Sequence, residues 1–191
     1  MSYTWVDYYK NRGTKPRSEL REALPYITTG TNALDLGCGA FVESRYMLEK
    51  GFSVVAVDPE ISLSLYLDDI TNDNFTFECV PVQNFDFPKN EFDFVCANYS
   101  LPFVTKRKHR FIFDSIYESL RPGGIFAFQL FGKYDQRNVW WRNSLCFHSE
   151  DEIMELISKF ELVDFDEAQH FTKLAGGKQN FSHVYRVIVK K

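Results

Sequence analysis

The stretch from Ala33 to Glu60, ALDLGCGAFVESRYMLEKGFSVVAVDPE, constrains the fold more than any other part of the chain. It opens on a short apolar run, bends at Gly37 and Gly39, continues as a helical pattern over Val42 to Lys50 with Gly51 in the C-cap place, and returns as an apolar run ending at Asp58. Two short apolar runs separated by one helix make a parallel βαβ unit, because parallel strands need a crossover and a helix is the usual one.

The same rhythm continues along the chain. Asn32 to Leu36, Ser53 to Val57, Phe75 to Val80, Phe92 to Ala97 and Ile125 to Phe131 are apolar runs with the length and composition of buried strands. Helical patterns cover Arg17 to Ile27 and Arg110 to Leu120, the second stopped by the RPGG sequence at 121 to 124. Another helix starts at a capping box of Ser149 and Glu152, ahead of Ile153, Leu156, Ile157 and Phe160. This alternation predicts a parallel sheet covered on both faces. The end of the chain differs: Phe160 to Asp166 and Phe181 to Val189 are joined by a loop containing Gly176 and Gly177, too short for a crossover helix, so these strands pair antiparallel.

The 191 residues suit a single domain over 1–191, with residues 1–30 forming an N-terminal segment and helix ahead of the sheet. With 22 basic and 26 acidic residues the net charge is −4, which disfavours nucleic acid as a partner, since phosphate neutralisation needs a basic footprint. The basic TKRKHR run at 105 to 110 is too short to supply one and reads as a solvated face. Cys38, Cys79, Cys96 and Cys146 lie 41, 17 and 50 residues apart with no CxxC pair, so neither a metal site nor a disulfide framework is expected. No signal peptide or membrane-spanning apolar run is present in the sequence, and a cytoplasmic location is expected.

In an open α/β sheet a ligand binds beyond the carboxyl ends of the strands. Gly37 and Gly39 let backbone approach a ligand that a Cβ would exclude, and Asp58, 19 residues after Gly39, ends the next strand where an acid accepts hydrogen bonds from ribose hydroxyls. These features point to an adenosine nucleoside. The third glycine of a dinucleotide fingerprint is missing, Ala40, Phe41 and Val42 standing there instead, and there is no phosphate loop, so a pyrophosphate is disfavoured. Asp35 puts a carboxylate beside the bend, which suits an ammonium or sulfonium group better than a phosphate.

DLGCG followed by AVD, then FDFVCAN, RPGG and a final strand pair resembles class I S-adenosylmethionine-dependent methyltransferases across nearly the whole chain. WVDYY, NYSLPF, FQLFG and GGKQNFSHVY are similar to the small bacterial tellurite-resistance and thiopurine-type enzymes. The resemblance implies an α/β Rossmann-like sheet of seven strands in the order 3-2-1-4-5-7-6, strand 7 antiparallel. It implies that Asp35, Gly37, Cys38 and Gly39 hold the methionine part of S-adenosylmethionine and Asp58 the ribose. Pro59 would then pack on adenine, Val82 and Gln83 would meet the base edge, and Asn98 would line the pocket. Trp5, Tyr8 and Tyr9 would close over the cofactor as a lid, ring faces suiting a sulfonium. Lys10, Arg12 or Arg17 would reach its carboxylate, and His148, His183, Trp140 and Trp141 would border the acceptor. Two departures stand out: similar enzymes usually have glycine at the position of Phe41, and VPVQN lacks the acid that grips the adenine amino group.

The implied activity is in-line methyl transfer to a small-molecule acceptor, leaving S-adenosylhomocysteine. NYSLPF is not the N-P-P-Y motif of nucleobase amino methylation, which makes a nucleic-acid or protein substrate the weaker alternative. A noncatalytic S-adenosylmethionine-binding module is the rival from another class. No general base is assigned, since the cofactor brings the electrophile.

Overall fold

A computed structural model describes residues 5–67, 70–141, 143–174 and 177–191, without the side chain of Val6. The first four residues of the expected N-terminal segment and Gly176 lie outside the described residues. In chain order the elements are α1 (Trp5–Asn11), α2 (Ser18–Ala23), β1 (Asn32–Leu36), α3 (Val42–Glu49), β2 (Ser53–Val57), β3 (Phe75–Glu78) and β4 (Phe92–Ala97). There follow α4 (Lys106–Ser119), β5 (Leu120–Gly132), α5 (Arg137–Trp140), β6 (Phe147–His148), α6 (Glu150–Leu156), β7 (Glu161–Lys173) and β8 (Gln179–Lys190). Short 3₁₀ turns at Leu24–Tyr26, Ile61–Tyr66, Val82–Asn84 and Leu101–Phe103 complete the connections.

The strands form one sheet in the order β3-β2-β1-β4-β5-β8-β7, with the two-residue β6 pairing the end of β5. Leaving β6 aside, this is the expected 3-2-1-4-5-7-6 order, and β8 runs antiparallel to both β5 and β7. Alternation along each strand splits the core. Leu34, Val95, Phe126 and Phe128 face Ile112, Phe113 and Ile116 of α4 and Ile153 of α6. Ala33, Phe94, Ile125 and Ala127 face Leu20 and Ala23 of α2 and Met47 of α3. Both faces are therefore closed by helices, as continuous apolar strands require.

Three details differ from the sequence reading. The RPGG sequence does not end in a loop but lies inside β5, where the register slips between Phe92↔Leu120 and Phe94↔Ile125. Gly124 fits this bulge because a Cβ there would lie 2.9 Å from the Arg121 carbonyl oxygen, and Gly123 takes φ 83°. The basic run belongs to α4 itself, Thr105 being its N-cap, so Lys106 sits at a helix N-terminus and is held there by Glu152 at 2.6 Å. Finally, WVDYY forms a helix of its own, α1. The Ser149–Glu152 capping box is present in full. No described helix is long and apolar enough to cross a membrane.

Phe41 resolves the first departure from the family pattern. Its backbone takes φ 59° and ψ 25°, the left-handed conformation that glycine adopts without strain. The ring is turned away from the bend onto the sheet, edge-on to Phe75 at 5.6 Å and Phe77 at 5.2 Å, and is completely buried with Ala56 and Leu63. Burial of a whole phenyl ring offsets the strain of the left-handed backbone. Phe41→Ala keeps that strain and removes the ring, so urea unfolding should show a loss of about 3 kcal/mol or more; a change under about 1 kcal/mol would mean the ring contributes no packing.

Candidate functional site

The carboxyl ends of β1, β2, β4 and β5 meet at one edge of the sheet, and the register sets which residues are neighbours there. Leu36 pairs Val57, Asp35 pairs Cys96, and Ala97 pairs Phe128. Leaving β1, the chain turns sharply because the N–H groups of Gly37 and Cys38 both donate to the Val57 carbonyl oxygen, at 2.7 and 3.1 Å. Gly37 takes φ 75°, and a Cβ there would overlap the side chain of Ser100, whose hydroxyl donates to the Leu36 carbonyl oxygen at 2.5 Å. Only glycine fits this place.

Asp58 faces the bend. Its Oδ2 accepts from the Gly39 N–H at 3.1 Å and its Oδ1 from the Glu60 N–H at 3.0 Å. A carboxylate has about four lone-pair sites, so each oxygen keeps capacity for a further donor such as a ribose hydroxyl. Burial raises the Asp58 pKa in spite of the two backbone bonds that lower it.

Asp35 lies beneath the bend and is almost fully buried. Ser44 Oγ donates to it at 2.6 Å and Cys96 Sγ at 3.4 Å. Its pKa is pushed up to about 7, chiefly by burial and next by the charge of Glu43, the bonds from Ser44 and Cys96 acting in the opposite direction. Burial, and then the carboxylate of Asp35, hold the thiols of Cys38 and Cys96 well above their ordinary range. Both remain neutral thiols, as their apolar setting suggested.

The aromatic residues of α1 cover this bend. Tyr9 packs against Gly39, where a Cβ would lie 3.0 Å from the ring, and Trp5 stacks on Tyr9 at 6.0 Å and meets Phe103 edge-on at 5.2 Å. Tyr9 titrates far above a free tyrosine because of burial and the nearby Asp58 and Glu60. The three expected carboxylate partners separate clearly. Lys10 is exposed, and Arg12 is tied to Glu43 at 2.7 Å. Arg17 lies 4.8 Å above the ring of Tyr99 and donates to the Tyr8 hydroxyl at 3.3 Å, while its own backbone N–H is held by Glu43 at 3.0 Å.

The other expected residues fall as follows. Asn98 follows β4 and is half-buried, and neither its amide nitrogen nor its amide oxygen has a partner among the described residues. An unpaired buried amide costs about 1–3 kcal/mol, so a polar ligand beside it would recover a real deficit. Pro59 is exposed next to Asp58 and Gln83 is half-buried, whereas the Val82 side chain joins the core.

The two histidines lie at this end of the molecule but are sealed inside it. His109 Nε2 sits 3.1 Å from the Leu101 carbonyl oxygen, which only accepts, so that nitrogen carries the proton and Nδ1 accepts from His148 Nε2 at 3.0 Å. Burial lowers the pKa of both imidazoles, that of His148 to about 3 with His109 as the next cause, so both rings are neutral near pH 7. His183 Nδ1 accepts from the Tyr134 N–H at 3.2 Å. Its Nε2 is 2.7 Å from Glu167 Oε1 with the N–H turned off the line between them. Trp140 and Trp141 pack edge-to-face at 6.3 Å, with Lys178 over Trp140 at 3.3 Å. A cavity of about 630 Å³ lined by Phe103, Lys106, Lys133, Leu145, Phe147 and Glu152 begins where Trp5 meets Phe103, not at the glycine bend. No cluster of metal-ligating side chains occurs among the described residues.

Sequence reasoning missed three participants. Glu43 gathers both Arg12 and the Arg17 backbone, Tyr99 supports Arg17, and Gln129 on β5 accepts the Tyr99 N–H at 3.1 Å. For Gln129 a signal was present, a lone amide in the otherwise apolar run IFAFQLF.

Comparison with known proteins bears on the family and the fold. The methyltransferase domain family matches residues 8–174. A methyltransferase of uncharacterised role from Synechocystis is 30% identical over 101 residues, which are 53% of this chain and 47% of that protein. The chain thus spans about half the length of the curated relative it matches. TehB from Haemophilus influenzae superposes with a TM-score of 0.74 at 16% identity, covering 97% of this chain and 66% of that one. A Burkholderia thailandensis N1-methyltransferase, solved with 1,6-didemethyltoxoflavin and S-adenosylhomocysteine, gives 0.68 at 20% identity over 98% and 85% of the two chains. At these identities the structural likeness establishes the fold.

The buried Asp35 makes a test of the site's electrostatics. Its pKa is 3.8 unfolded and about 7 folded, so between these values the native state binds the extra proton. Its contribution to stability is full below the lower value and is lost as pH rises to the upper one. Asp35→Asn should therefore match the wild type in denaturant melts near pH 4 and exceed it near pH 8, by up to about 4 kcal/mol. A constant difference across that range would show that Asp35 ionises freely.

Proposed function

Because the chain belongs to the methyltransferase domain family, we propose that it binds S-adenosylmethionine at the bend and transfers its methyl group to a small-molecule acceptor, leaving S-adenosylhomocysteine. The observation that carries this reading is the facing pair of Gly37, whose tight turn leaves no room for a side chain against Ser100, and Asp58, whose two oxygens are each held by one backbone N–H with acceptor capacity to spare.

On this reading Asp58 takes the ribose hydroxyls, while Pro59, Gln83 and the backbone of Val82 border the adenine. Gly37, Cys38 and Gly39 border the methionine part, with Asn98 lining the pocket and its unpaired amide finding a polar partner. Arg17 is the candidate for the carboxylate, since Arg12 is committed to Glu43. Asp35 faces the cationic end. Within the N-terminal segment α1 acts as the lid, with Trp5 and Tyr9 placing ring faces over the site.

When bound, the cofactor supplies an electrophilic methyl group. The protein's part is to align it with the acceptor and exclude water, an effect that lowers barriers by roughly 7–11 kcal/mol when the geometry is right. No base is assigned to the chain: His148 and His183 are buried, and an acceptor that arrives deprotonated needs none. The buried neutral thiols and the acidic net charge fit a cytoplasmic enzyme acting on small molecules.

Titration calorimetry with S-adenosylmethionine and S-adenosylhomocysteine tests the proposal. Asp58→Ala should weaken binding by about 1.5–3 kcal/mol, the worth of hydrogen bonds to a charged group; an unchanged Kd would remove Asp58 from the site. Affinity for the sulfonium cofactor should rise as pH passes upward through about 7, because Asp35 then ionises. Asp35→Asn should flatten that profile. Tight binding without turnover of any small acceptor would support the noncatalytic module instead.

A further inference from the structure

One cross-strand row at the carboxyl edge reaches further than the nucleoside site. Extending the pairs Leu36↔Val57, Asp35↔Cys96 and Ala97↔Phe128 by one or two residues sets Asp58, Gly37, Asn98 and Gln129 side by side, and Gln129 pairs Arg186 on β8. The proposed cofactor site uses the first three. Gln129 is the next position along the row, on the same face as Asn98.

Its side chain is completely buried, and its orientation is fixed. Oε1 accepts the N–H of Tyr99 at 3.1 Å, so the amide cannot flip without losing that bond. Nε2 therefore presents only donors, and it has no acceptor among the described residues. Tyr99 itself has φ 57°, a strained conformation for a residue with a side chain, held where Gln129 takes its N–H and Arg17 lies over its ring. Strain of this kind persists where surrounding contacts over-determine it, typically at ligand sites. Arg186, the neighbour on β8, is engaged with Asp166 at 2.9 Å and Glu19 at 3.7 Å, so the unpaired donors of the row among the described residues are the amides of Gln129 and of Asn98, and the second is already assigned to the proposed cofactor pocket.

We propose that Gln129 is a specificity-determining residue for the methyl acceptor, its Nε2 donating to an oxygen lone pair carried next to the nucleophilic atom. The acceptor class is thus a small molecule with a carboxylate or carbonyl oxygen beside its nucleophile, and an ammonium in that place is rejected because donor would face donor. This rests on the cofactor reading given above. Gln129 positions the acceptor and takes no part in bond making.

The experiment uses two thiols of similar length, 3-mercaptopropionate and cysteamine, with S-adenosylhomocysteine formation as the readout. Gln129→Glu keeps an oxygen for the Tyr99 N–H but turns the donor into an acceptor. The ratio of kcat/KM for the carboxylate thiol over the ammonium thiol should fall at least about tenfold from wild type, through KM, with the Kd for S-adenosylhomocysteine within about twofold. Such a change equals the 1.4 kcal/mol of one decade. Gln129→Met should lower the ratio without inverting it, and it carries the test if the Glu variant does not fold. An unchanged ratio in a folded variant would overturn the proposal, as would a wild type that binds S-adenosylhomocysteine yet methylates neither thiol. Failure of the wild type to bind S-adenosylhomocysteine at all would instead defeat the cofactor reading on which the proposal stands.

Discussion

Two consecutive amides, those of Gly37 and Cys38, donate to one carbonyl, that of Val57, and the rest of the site depends on this shared acceptor. It stops β1 from continuing and ties its end to the end of β2, so the bend and Asp58 arrive together. The turn is possible because Gly37 has no side chain to meet Ser100, and because Phe41 accepts a left-handed backbone in return for a buried ring. Backbone bonds alone fix the carboxylate of Asp58, leaving its remaining lone pairs in a set direction. Preorganisation of this kind spares a ligand the entropy of assembling its own site.

A second constraint is electrostatic. Asp35, Glu43 and Asp58 lie close together in a poorly solvated region, and two of the three carboxyls are shifted upward by burial. The third, Glu43, is served by Arg12 and by the Arg17 backbone. Such a cluster suits a cationic ligand and repels phosphates. The surplus of carboxylates around the bend thus reinforces what the missing third glycine suggests, that the ligand is a nucleoside with a positive group and no pyrophosphate.

Much of this was legible in the sequence because the signals are local. The βαβ unit, the capping box and the antiparallel last pair follow from periodicity, glycine placement and the lack of a helix between the last two strands, whereas the strand order came from the family resemblance. That Gly37, Gly39 and Asp58 meet at one bend was legible for the same reason, their positions being set by the strand ends. What escaped depends on neighbours far apart in sequence. RPGG marks the stop of α4 as it reads, but that its glycines also serve a bulge inside β5 escaped, since the packing of Ile125 onward carries the strand back through them. Gln129 and Tyr99 are 30 residues apart and meet only through the β4 to β5 register. His109 was read within a basic run and proved to be a buried partner of His148. Phe41 stood out as a departure, but the direction of its ring depended on Phe75 and Phe77, more than 30 residues away in sequence.

The clasp on Glu43 links access to architecture. Arg12 at the end of α1 and the amide of Arg17 before α2 grip the same carboxylate, which sits in the first turn of α3, the helix launched by the bend. The cover and the floor are thereby fastened to a single rivet. On the proposed lid reading, raising the aromatic helix to let a molecule in or out pulls on the helix that shapes the bottom, so opening and loosening come as one motion. A chain built this way trades speed of exchange against sharpness of grip, and the side chain that sets the balance touches neither ligand.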